Sequence, residues 1–252
     1  GESVENPLAY YDTNLNGLLT LSRVMALHMV KNLVFSSSAT VYGDPHKLPI
    51  KENFPLTVTN PYGQTKLMGE QILRDLEQSD DDWRIAYLRY FNPVGAHKSG
   101  LIGEDPRGVP NNLMPFVAQV AIGKLDKLYV YGGDYPTADG TGVRDYIHVM
   151  DLALGHVASL SRLFNCGPSF TVNLGTGRGY SVLDVIHAYQ KVSGRRIPYE
   201  IIARRPGDIA ACYADPALAA EILNWTSKRE LDEMCRDSWN WQQKNLNGFS
   251  NA

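Results

Sequence analysis

The sequence predicts an α/β protein in which a doubly wound parallel sheet is followed by a smaller α/β domain. Two observations support this fold class: helix-like and strand-like patterns alternate along the chain, and 44% of its 252 residues are hydrophobic, enough for a sizeable core. A proline- and glycine-rich stretch at 92–110 interrupts the alternation and predicts a boundary. We expect one domain over 1–92 and a second that mainly covers 93–252, with some of its elements packing back on the first.

The first two helices and the first strand follow from periodicity. Apolar spacing predicts a helix over 7–28, and NLVF at 32–35 predicts a short buried strand. Asn60 and Pro61 suit the cap and the first position of a second helix that runs to 78, because apolar residues recur at helical spacing after them.

The rest of the chain continues the alternation. Further strands are predicted at 84–89, 127–131 and 170–173, and further helices at 112–122, 152–164, 182–192, 216–223 and 228–244. Asp145, His148 and Asp151 come closest to a metal-ligand cluster. We expect no metal there, because Asp151 suits the cap of the helix at 152–164 and His148 suits a packed strand position.

Tyr62 and Lys66, in YGQTK, are the most informative pair, because their spacing puts both side chains on one face of the predicted second helix. An isolated tyrosine has a pKa of about 10 and is a poor base at neutral pH, but a cation within about 4–6 Å favours the phenolate. We expect Lys66 to make Tyr62 a proton acceptor for a hydroxyl group. The alternative is that Lys66 pairs with Glu70 and Tyr62 is a half-buried aromatic residue.

Ser38 follows the first predicted strand in SSSATVYG, at the carboxyl end where open α/β sheets bind ligands, so its hydroxyl can orient a substrate alcohol beside Tyr62. The residues that resemble the catalytic set of the short-chain dehydrogenase/reductase superfamily, in this order, are Asn14, Ser38, Tyr62 and Lys66. The motifs that resemble one branch, the UDP-glucose 4-epimerase (UDP-galactose 4-epimerase) family, are SSSATVYG, PYGQTK, LRYFNPVGAH, NNLMPFVAQVA, DGTGVRDYIHVMDLA and NLGTGRGYSVLDV. This resemblance runs over residues 4–241.

The resemblance implies an incomplete Rossmann-like sheet, bound NAD, and the interconversion of UDP-galactose and UDP-glucose through a 4-keto sugar in galactose metabolism. In that chemistry Tyr62 takes the proton of the sugar 4-hydroxyl and Ser38 holds the same oxygen, while Lys66 keeps the phenolate charged and binds the nicotinamide ribose. The implied cofactor contacts are Lys66, Tyr90, Phe91 and Asn14.

The implied substrate contacts are Ser38, Ala39, Thr40, Tyr62, Tyr90, Phe91, Asn92, Asn111, Asn112, Leu113, Tyr129, Val130, Tyr131, Arg144, Arg205, Asp208 and Cys212. Arg144 and Arg205 would meet the diphosphate, for which a planar guanidinium is a better partner than an ammonium, and Asp208 would meet a ribose hydroxyl. The strand at 129–131 would cover uracil. Taken alone, Arg205 would be a solvated surface cation, and Tyr90 and Phe91 would be core aromatics.

Cys212 is implied to lie beside the 2-substituent of the sugar, where it leaves room for an N-acetyl group that a tyrosine would exclude. We therefore expect activity on UDP-N-acetylglucosamine and UDP-N-acetylgalactosamine as well. The alternative is that Cys212 is a small buried hydrophobic residue of no special role.

The resemblance also implies a homodimer formed by the helices at 7–28 and 62–78. Leu18, Leu21 and Met25 suit an exposed apolar face of the first helix, although core packing explains them equally well.

This family also has a glycine-rich turn that receives the cofactor pyrophosphate, and no such motif stands ahead of Ser38 here. We expect the chain to be part of a longer protein and to be weakly active or inactive alone. GTGRG at 175–179 has the spacing G-x-G-x-G and no acidic residue about 20 positions on in a βαβ context, so we interpret it as a loop of the epimerase pattern and not as a dinucleotide site.

Charge and cysteine usage exclude several classes of function. The chain has 24 Lys and Arg against 27 Asp and Glu and no long basic tract, so nucleic acid is not an expected partner. It has no run of eighteen apolar residues that would predict a membrane span. Cys166, Cys212 and Cys235 form no C-x-x-C pair and are odd in number, which favours a reducing cytosol and a cytoplasmic protein.

Two other functions compete with epimerisation. A sugar-nucleotide dehydratase shares the Tyr-x-x-x-Lys helix but needs acid and base side chains just after the serine or threonine, where this chain has Ala39 and Thr40. The other candidate is an inactive fragment that retains nucleotide binding or dimer formation.

Overall fold

The computed structural model describes residues 2–106, 108, 110, 112–205 and 207–249. These residues fall into two compact units, each assembled from three stretches of chain. Unit 1 takes the described residues of 1–91, 153–174 and 214–226, and unit 2 takes those of 92–152, 175–213 and 227–252.

The elements are named in chain order. The first are α1 (Glu2–Glu5), α2 (Pro7–Tyr11), a π-helical segment (Asp12–Asn16), α3 (Gly17–Leu27), β1 (Asn32–Ser38), a 3-10 turn (Ala39–Tyr42), α4 (Pro61–Ser79) and β2 (Arg84–Tyr90). Then follow β3 (Asn92–Val94), α5 (Leu113–Ala121), β4 (Leu128–Tyr131), β5 (Val143–Arg144), β6 (Tyr146–His148), α6 (Val149–Phe164) and β7 (Phe170–Leu174). The last are β8 (Tyr180–Ser181), α7 (Val182–Ser193), β9 (Tyr199–Ile202), β10 (Ala211–Cys212), α8 (Ala217–Leu223) and α9 (Leu231–Lys244).

Unit 1 contains a parallel sheet in the order β1-β2-β7. Its register pairs Ser38 with Tyr90 and Tyr90 with Leu174, so the carboxyl ends of all three strands coincide. The α/β fold class and the parallel sheet are therefore as predicted. Because ligands of open parallel sheets bind at the carboxyl ends of the strands, this edge is where a site is expected.

Two predictions for unit 1 need correction. The helix predicted over 7–28 is interrupted by the π-helical segment Asp12–Asn16, and a separate turn, α1, precedes it. The strand predicted at 32–35 runs on to Ser38, and only Ser37 and Ser38 in it are buried. Its first residues stay partly exposed, because β1 is an outer strand of the three-stranded sheet that the described residues of unit 1 form.

The apolar face proposed for the first helix is also placed differently. Leu18 is buried and packs with Leu73, Trp83, Ile85 and Tyr87, while Met25 packs partly against the same cluster. Of the three residues, Leu21 is the exposed one, at 47%. The expectation that Leu18 and Met25 face outward is thus wrong, because packing on the sheet takes up their side of α3.

Unit 2 contains smaller sheets. The pairs are β3 with β6 and β4 with β9, both parallel, and the third sheet has the order β10-β5-β8. The core of unit 2 collects apolar side chains of α5, α7 and α9, including Val117, Ile186 and Met234. The helices predicted at 112–122, 182–192 and 228–244 are thus present, although α9 begins three residues later than predicted.

Two details of unit 2 differ from the sequence predictions. The stretch at 92–110 begins with a strand, β3, rather than being a loop throughout. Asp151 does not cap a helix at 152–164, because α6 already begins at Val149. Asp151 instead accepts hydrogen bonds from the backbone amides of Lys228 and Arg229, both at 2.9 Å, and pairs with the Arg229 guanidinium.

His148 is a buried strand residue, as predicted. Its Nδ1 accepts a hydrogen bond from Met150 N, and its Nε2 lies 3.1 Å from a carboxylate oxygen of Asp237. In the described part of the chain, no group of three His, Cys, Asp or Glu side chains could hold a metal ion. Nor do these residues include a helix long and apolar enough to cross a membrane.

Candidate active site

Ser38 is the last residue of β1 and is buried at the carboxyl edge of the unit 1 sheet. Its hydroxyl oxygen accepts hydrogen bonds from Thr40 N at 3.2 Å and from Thr40 Oγ1 at 2.9 Å, which caps the turn Ala39–Tyr42. Gly43 ends this turn at φ +61°, where a Cβ would meet Thr57 O. The backbone therefore holds the serine in one orientation.

Tyr62 lies in the first turn of α4, as the sequence predicts. Asn60 caps the helix by accepting a hydrogen bond from Gly63 N at 2.9 Å, and Pro61 occupies the first turn. A Cβ on Gly63 would lie 3.0 Å from Thr40 O, so the glycine lets the helix approach the turn that follows Ser38 closely. This approach brings the first turn of α4, which carries Tyr62, close to the turn that follows Ser38.

Lys66 lies one turn after Tyr62. Its Nζ donates a hydrogen bond to Ser36 O at 3.0 Å and lies 5.6 Å from the centroid of the Tyr62 ring. Burial lowers the pKa of Lys66. The structure thus brings Ser38, Tyr62 and Lys66 together within unit 1.

The pKa of Tyr62 lies above the ordinary value for tyrosine, so the expectation that Lys66 favours its phenolate stays a prediction. Burial raises the pKa of Tyr62 and the nearby Tyr90 adds to the increase, while the hydrogen bond with Ser38 lowers it only in part. Burial is the largest of these influences on the Tyr62 pKa, because removing a phenolate from water is costly.

The alternative pairing of Lys66 with Glu70 is not found. Glu70 instead accepts two hydrogen bonds from Arg89, at 2.8 Å from Nε and 2.6 Å from the second terminal nitrogen, and one from Ser37 Oγ at 2.6 Å. The cation of Lys66 therefore remains on the side of α4 that faces Tyr62.

The remaining residues predicted in unit 1 surround this group. Asn14 Nδ2 donates to Thr65 Oγ1 at 2.8 Å, next to Lys66 in the chain. Tyr90 ends β2, with its ring 6.0 Å from that of His156, and Phe91 is buried directly after it. His156 was not identified from the sequence, because a single histidine within a helical pattern carries no signal.

Unit 2 contains a cavity of about 330 Å³, a size that suits a small ligand. The predicted substrate contacts that line it are Asn92, Asn112, Leu113, Tyr129, Val130, Tyr131, Arg144, Arg205 and Asp208. Asn111, another predicted contact, lies outside the described residues. The lining combines three cations, Lys127, Arg144 and Arg205, with one carboxylate and an aromatic wall, which suits an anionic ligand with a planar ring.

Arg205 is exposed, as the surface-cation alternative expects, but its guanidinium also lies 3.7 Å from the centroid of the Tyr131 ring. Arg144 lies 4.0 Å from the carboxylate of Asp208. Cys212 does not line this cavity, but it is buried and is the register partner of Arg144 between β10 and β5. Burial raises the pKa of the Cys212 thiol to about 11, so it is a neutral thiol at neutral pH.

Several residues of the cavity were not identified from the sequence. These are Phe116, Leu125, Lys127, Leu128, Tyr135, Gly142, Tyr146 and Val182. Phe116 could have been found, because it lies one helical turn after Leu113. Lys127 and Leu128 could also have been found, because they belong to the strand predicted at 127–131. The remaining residues come from other elements that only the tertiary fold brings together.

The loop at 175–179 does not offer its first amides to a phosphate. Thr176 N and Gly177 N both donate to the carboxylate of Asp145, at 2.8 Å and 3.0 Å, and the short strand β8 follows before α7. A dinucleotide turn leads from strand to helix with free amides. The interpretation of this glycine run as a loop of another kind therefore agrees with the structure.

A parallel α/β sheet that carries a serine at one strand end, beside a Tyr-x-x-x-Lys helix, defines the class of short-chain dehydrogenase/reductase proteins of the extended type. A family model described as GDP-mannose 4,6 dehydratase matches residues 1–238. A UDP-glucose 4-epimerase of Bacillus subtilis (strain 168) is 62% identical over 252 residues, which are 100% of this chain and 74% of that protein. The chain belongs to the UDP-glucose 4-epimerase family.

Solved structures agree with this assignment. The UDP-glucose 4-epimerase of Bifidobacterium longum in complex with NAD+ and UDP is 58% identical, with a TM-score of 0.94, and the match covers 99% of this chain and 74% of that one. The enzyme of Stenotrophomonas maltophila with bound NAD and formylated UDP-arabinopyranose is 52% identical, also with a TM-score of 0.94, over 97% and 73% of the two chains.

Proposed function

We propose that the protein that carries this chain catalyses the NAD-dependent interconversion of UDP-galactose and UDP-glucose by inverting C4 of the sugar, and that the chain alone is weakly active or inactive. The grouping of Ser38, Tyr62 and Lys66 at the carboxyl edge of the unit 1 sheet is the observation that carries this proposal. Membership in the epimerase family and the cavity of unit 2 support it.

Each of the three residues has a distinct role. Tyr62 takes the proton of the 4-hydroxyl, and Ser38 holds that oxygen by a hydrogen bond. Lys66 supplies the positive charge beside the ring of Tyr62 and makes the phenolate less costly as it forms. Because the pKa of Tyr62 is raised, proton acceptance is favoured as the pH increases.

The residues present fit an NAD cofactor, since a lysine, an amide and two aromatic rings stand at one edge of a parallel sheet. Lys66, Asn14, Tyr90 and Phe91 would hold it. When bound, NAD would accept the hydride of C4 and return it to the 4-keto sugar. Because the nucleotide would be bound firmly and the sugar more loosely, the keto sugar could turn about its diphosphate link. Its opposite face would then be presented for hydride return, which inverts C4.

Unit 2 supplies the nucleotide binding in this proposal. Arg144 and Arg205 would bind the diphosphate and Asp208 a ribose hydroxyl, while the strand β4 covers the uracil. Arg205 is preorganised by its stacking on Tyr131, so less freedom is lost when a phosphate binds.

Calorimetric titration of this chain with UDP tests the nucleotide part directly. We expect UDP to bind and GDP to bind at least roughly tenfold more weakly, since a strand fitted to a pyrimidine has less room for a purine. Arg144→Gln should weaken UDP binding by roughly tenfold or more. Arg178→Gln, which changes an exposed arginine of unit 2 outside the cavity, is the matched control. Equal binding of UDP and GDP would contradict the proposal.

A dehydratase is the second candidate, because the matching family model carries that description. The residues after Ser38 argue against it, since Ala39 has no acid or base group and Thr40 donates its hydroxyl to Ser38. Mass spectrometry of the product distinguishes the two reactions, because epimerisation preserves the mass and dehydration removes one water.

The finer proposals concern assembly, substrate range and compartment. We propose a homodimer, activity on the N-acetylated UDP-sugars, a role in galactose metabolism and a cytoplasmic location. The described cysteines are unpaired, with Cys166 exposed and Cys212 and Cys235 buried, which suits a reducing compartment.

A further inference from the structure

Unit 1 contains a buried polar network with Arg89 at its centre. Arg89 is 3% exposed and Glu70 is 1% exposed, and the two form a bidentate ion pair. The remaining terminal nitrogen of Arg89 donates to Tyr42 Oη at 3.1 Å and to Glu52 O at 3.0 Å. All three nitrogens of the Arg89 side chain thus donate hydrogen bonds, as a buried charge requires.

The network extends in two directions. Ser37 Oγ donates to Glu70 at 2.6 Å, and Tyr42 Oη donates to Asn173 Oδ1 at 2.7 Å. Asn173 N in turn donates to the carboxylate of Glu52 at 2.7 Å. Side chains from three strands, the 3-10 turn and α4 are therefore joined in one set of hydrogen bonds.

Three residues of the network lie close in the chain to residues of the proposed site. Ser37 precedes Ser38, Arg89 precedes Tyr90, and Glu70 follows Lys66 by one helical turn. Ser37 and Arg89 are also register partners between β1 and β2. A shift of either strand end relative to α4 would stretch the bonds to the Glu70 carboxylate.

We infer that Glu70, Arg89 and Ser37 are positioning residues, which hold the Ser38 strand end and the Tyr62–Lys66 helix at the separation that the reaction needs. The inference rests on the proposed function, because it assigns these residues to the same site. They touch neither the substrate nor the cofactor in this scheme, and act through their neighbours in the chain. Displacements of about 1 Å can cost roughly 100-fold in rate, so a fixed separation matters for catalysis.

Ser37→Ala is the most selective test, because it removes one hydroxyl and leaves the ion pair in place. Its matched control is Ser159→Ala, which removes another fully buried serine hydroxyl of unit 1, bonded only to Gly155 O in its own helix. In the protein that carries this chain, Ser37→Ala should lower kcat roughly tenfold with KM and UDP affinity unchanged. Ser159→Ala should leave kcat within about twofold of the unsubstituted protein.

Amide hydrogen exchange on this chain gives a readout that does not depend on turnover. Ser37→Ala should speed exchange in 36–43, where Thr40 N is bonded to Ser38, and Ser159→Ala should not. The same kcat and the same exchange for both variants would overturn the inference. If the unsubstituted protein shows no epimerisation, the proposed function and the catalytic part of the inference both fail, while the exchange result still decides the structural coupling.

Discussion

The guanidinium of the exposed Arg205 lies over the ring of Tyr131, 3.7 Å from its centroid. This stacking depends on the planar shape of arginine, which lysine lacks. Both residues line the cavity of unit 2. From the sequence alone, Arg205 would be assigned to the solvated surface.

We predict that Arg205→Lys weakens UDP binding to this chain roughly tenfold, although the charge is preserved, because stacking and bidentate contact are both lost. Calorimetric titration measures the change. Arg178→Lys, at an exposed position of unit 2, should leave the affinity as it is. If Arg205→Lys binds UDP as tightly as the unsubstituted chain, the site needs only a positive charge at this position.

Removal of the Tyr62 hydroxyl should affect turnover and not nucleotide binding. We expect Tyr62→Phe to lower kcat by roughly 10²–10⁴-fold in the protein that carries this chain, the usual contribution of a general base.

The turnover rate of the unsubstituted protein should rise with pH. The pKa of Tyr62 is raised, and its deprotonated form is the one that accepts the proton of the sugar hydroxyl. Tyr199→Phe, at a partly exposed position on β9, serves as the control. Normal turnover of Tyr62→Phe would show that the base is another group.

Glu70 should make the fold sensitive to acid. Burial alone would raise its pKa, but hydrogen bonds from Arg89 and Ser37 bring the pKa below the ordinary value of 4.5. Its stabilising contribution is therefore complete above that pH and is lost as the pH falls through the lower native pKa.

We predict that Glu70→Gln costs about 3–5 kcal/mol at pH 7, because Arg89 is left buried without a counter-charge. The difference from the unsubstituted chain should shrink below pH 4.5, where Glu70 becomes protonated in both the unfolded and then the native state. Denaturant unfolding across pH 3–7 measures it, with Asp75→Asn, an exposed position on the same helix, as control. A difference that stays constant with pH would contradict the assignment.

Cys212 should set the substrate range. We expect the protein that carries this chain to act on both the plain and the N-acetylated UDP-sugars, and Cys212→Tyr to abolish only the second activity, since a tyrosine fills the space of an acetamido group. Cys166→Tyr places the same side chain at an exposed position and should change neither. Assays of both substrate pairs give the ratio of activities, and an unchanged ratio in Cys212→Tyr would remove the support for this role.

The first helices should form a dimer contact. Leu8, Leu21 and Val24 are exposed at 79%, 47% and 49%, which leaves apolar surface on α2 and α3. We predict a homodimer at micromolar concentration by sedimentation analysis, and a shift towards monomer in Leu21→Glu. Leu101→Glu, at an exposed leucine in unit 2, is the control. A monomer without any substitution would count against the proposal.

Local patterns made the elements of the fold predictable. The cap Asn60, the first-turn Pro61 and the apolar spacing after them predicted α4 nearly to its ends, because these signals act within one or two turns. The same holds for the strands at 84–89 and 170–173, which the structure extends by one residue each. The π-helical segment at Asp12–Asn16 has no comparable signal and was not predicted.

The sequence by itself determined which residues could do the chemistry: Tyr62 and Lys66 share a helix face because of their spacing, and Ser38 follows the strand that the apolar run at 32–35 predicts. Only the tertiary structure decided the pKa of Tyr62 and the hydrogen bonds around these residues. The pKa of Tyr62 depends on burial, and the partner of Glu70 proved to be Arg89, 19 residues further on, rather than Lys66 on its own helix. Desolvation and long-range pairing depend on how strands and helices pack, so the spacing of residues along the chain predicts neither.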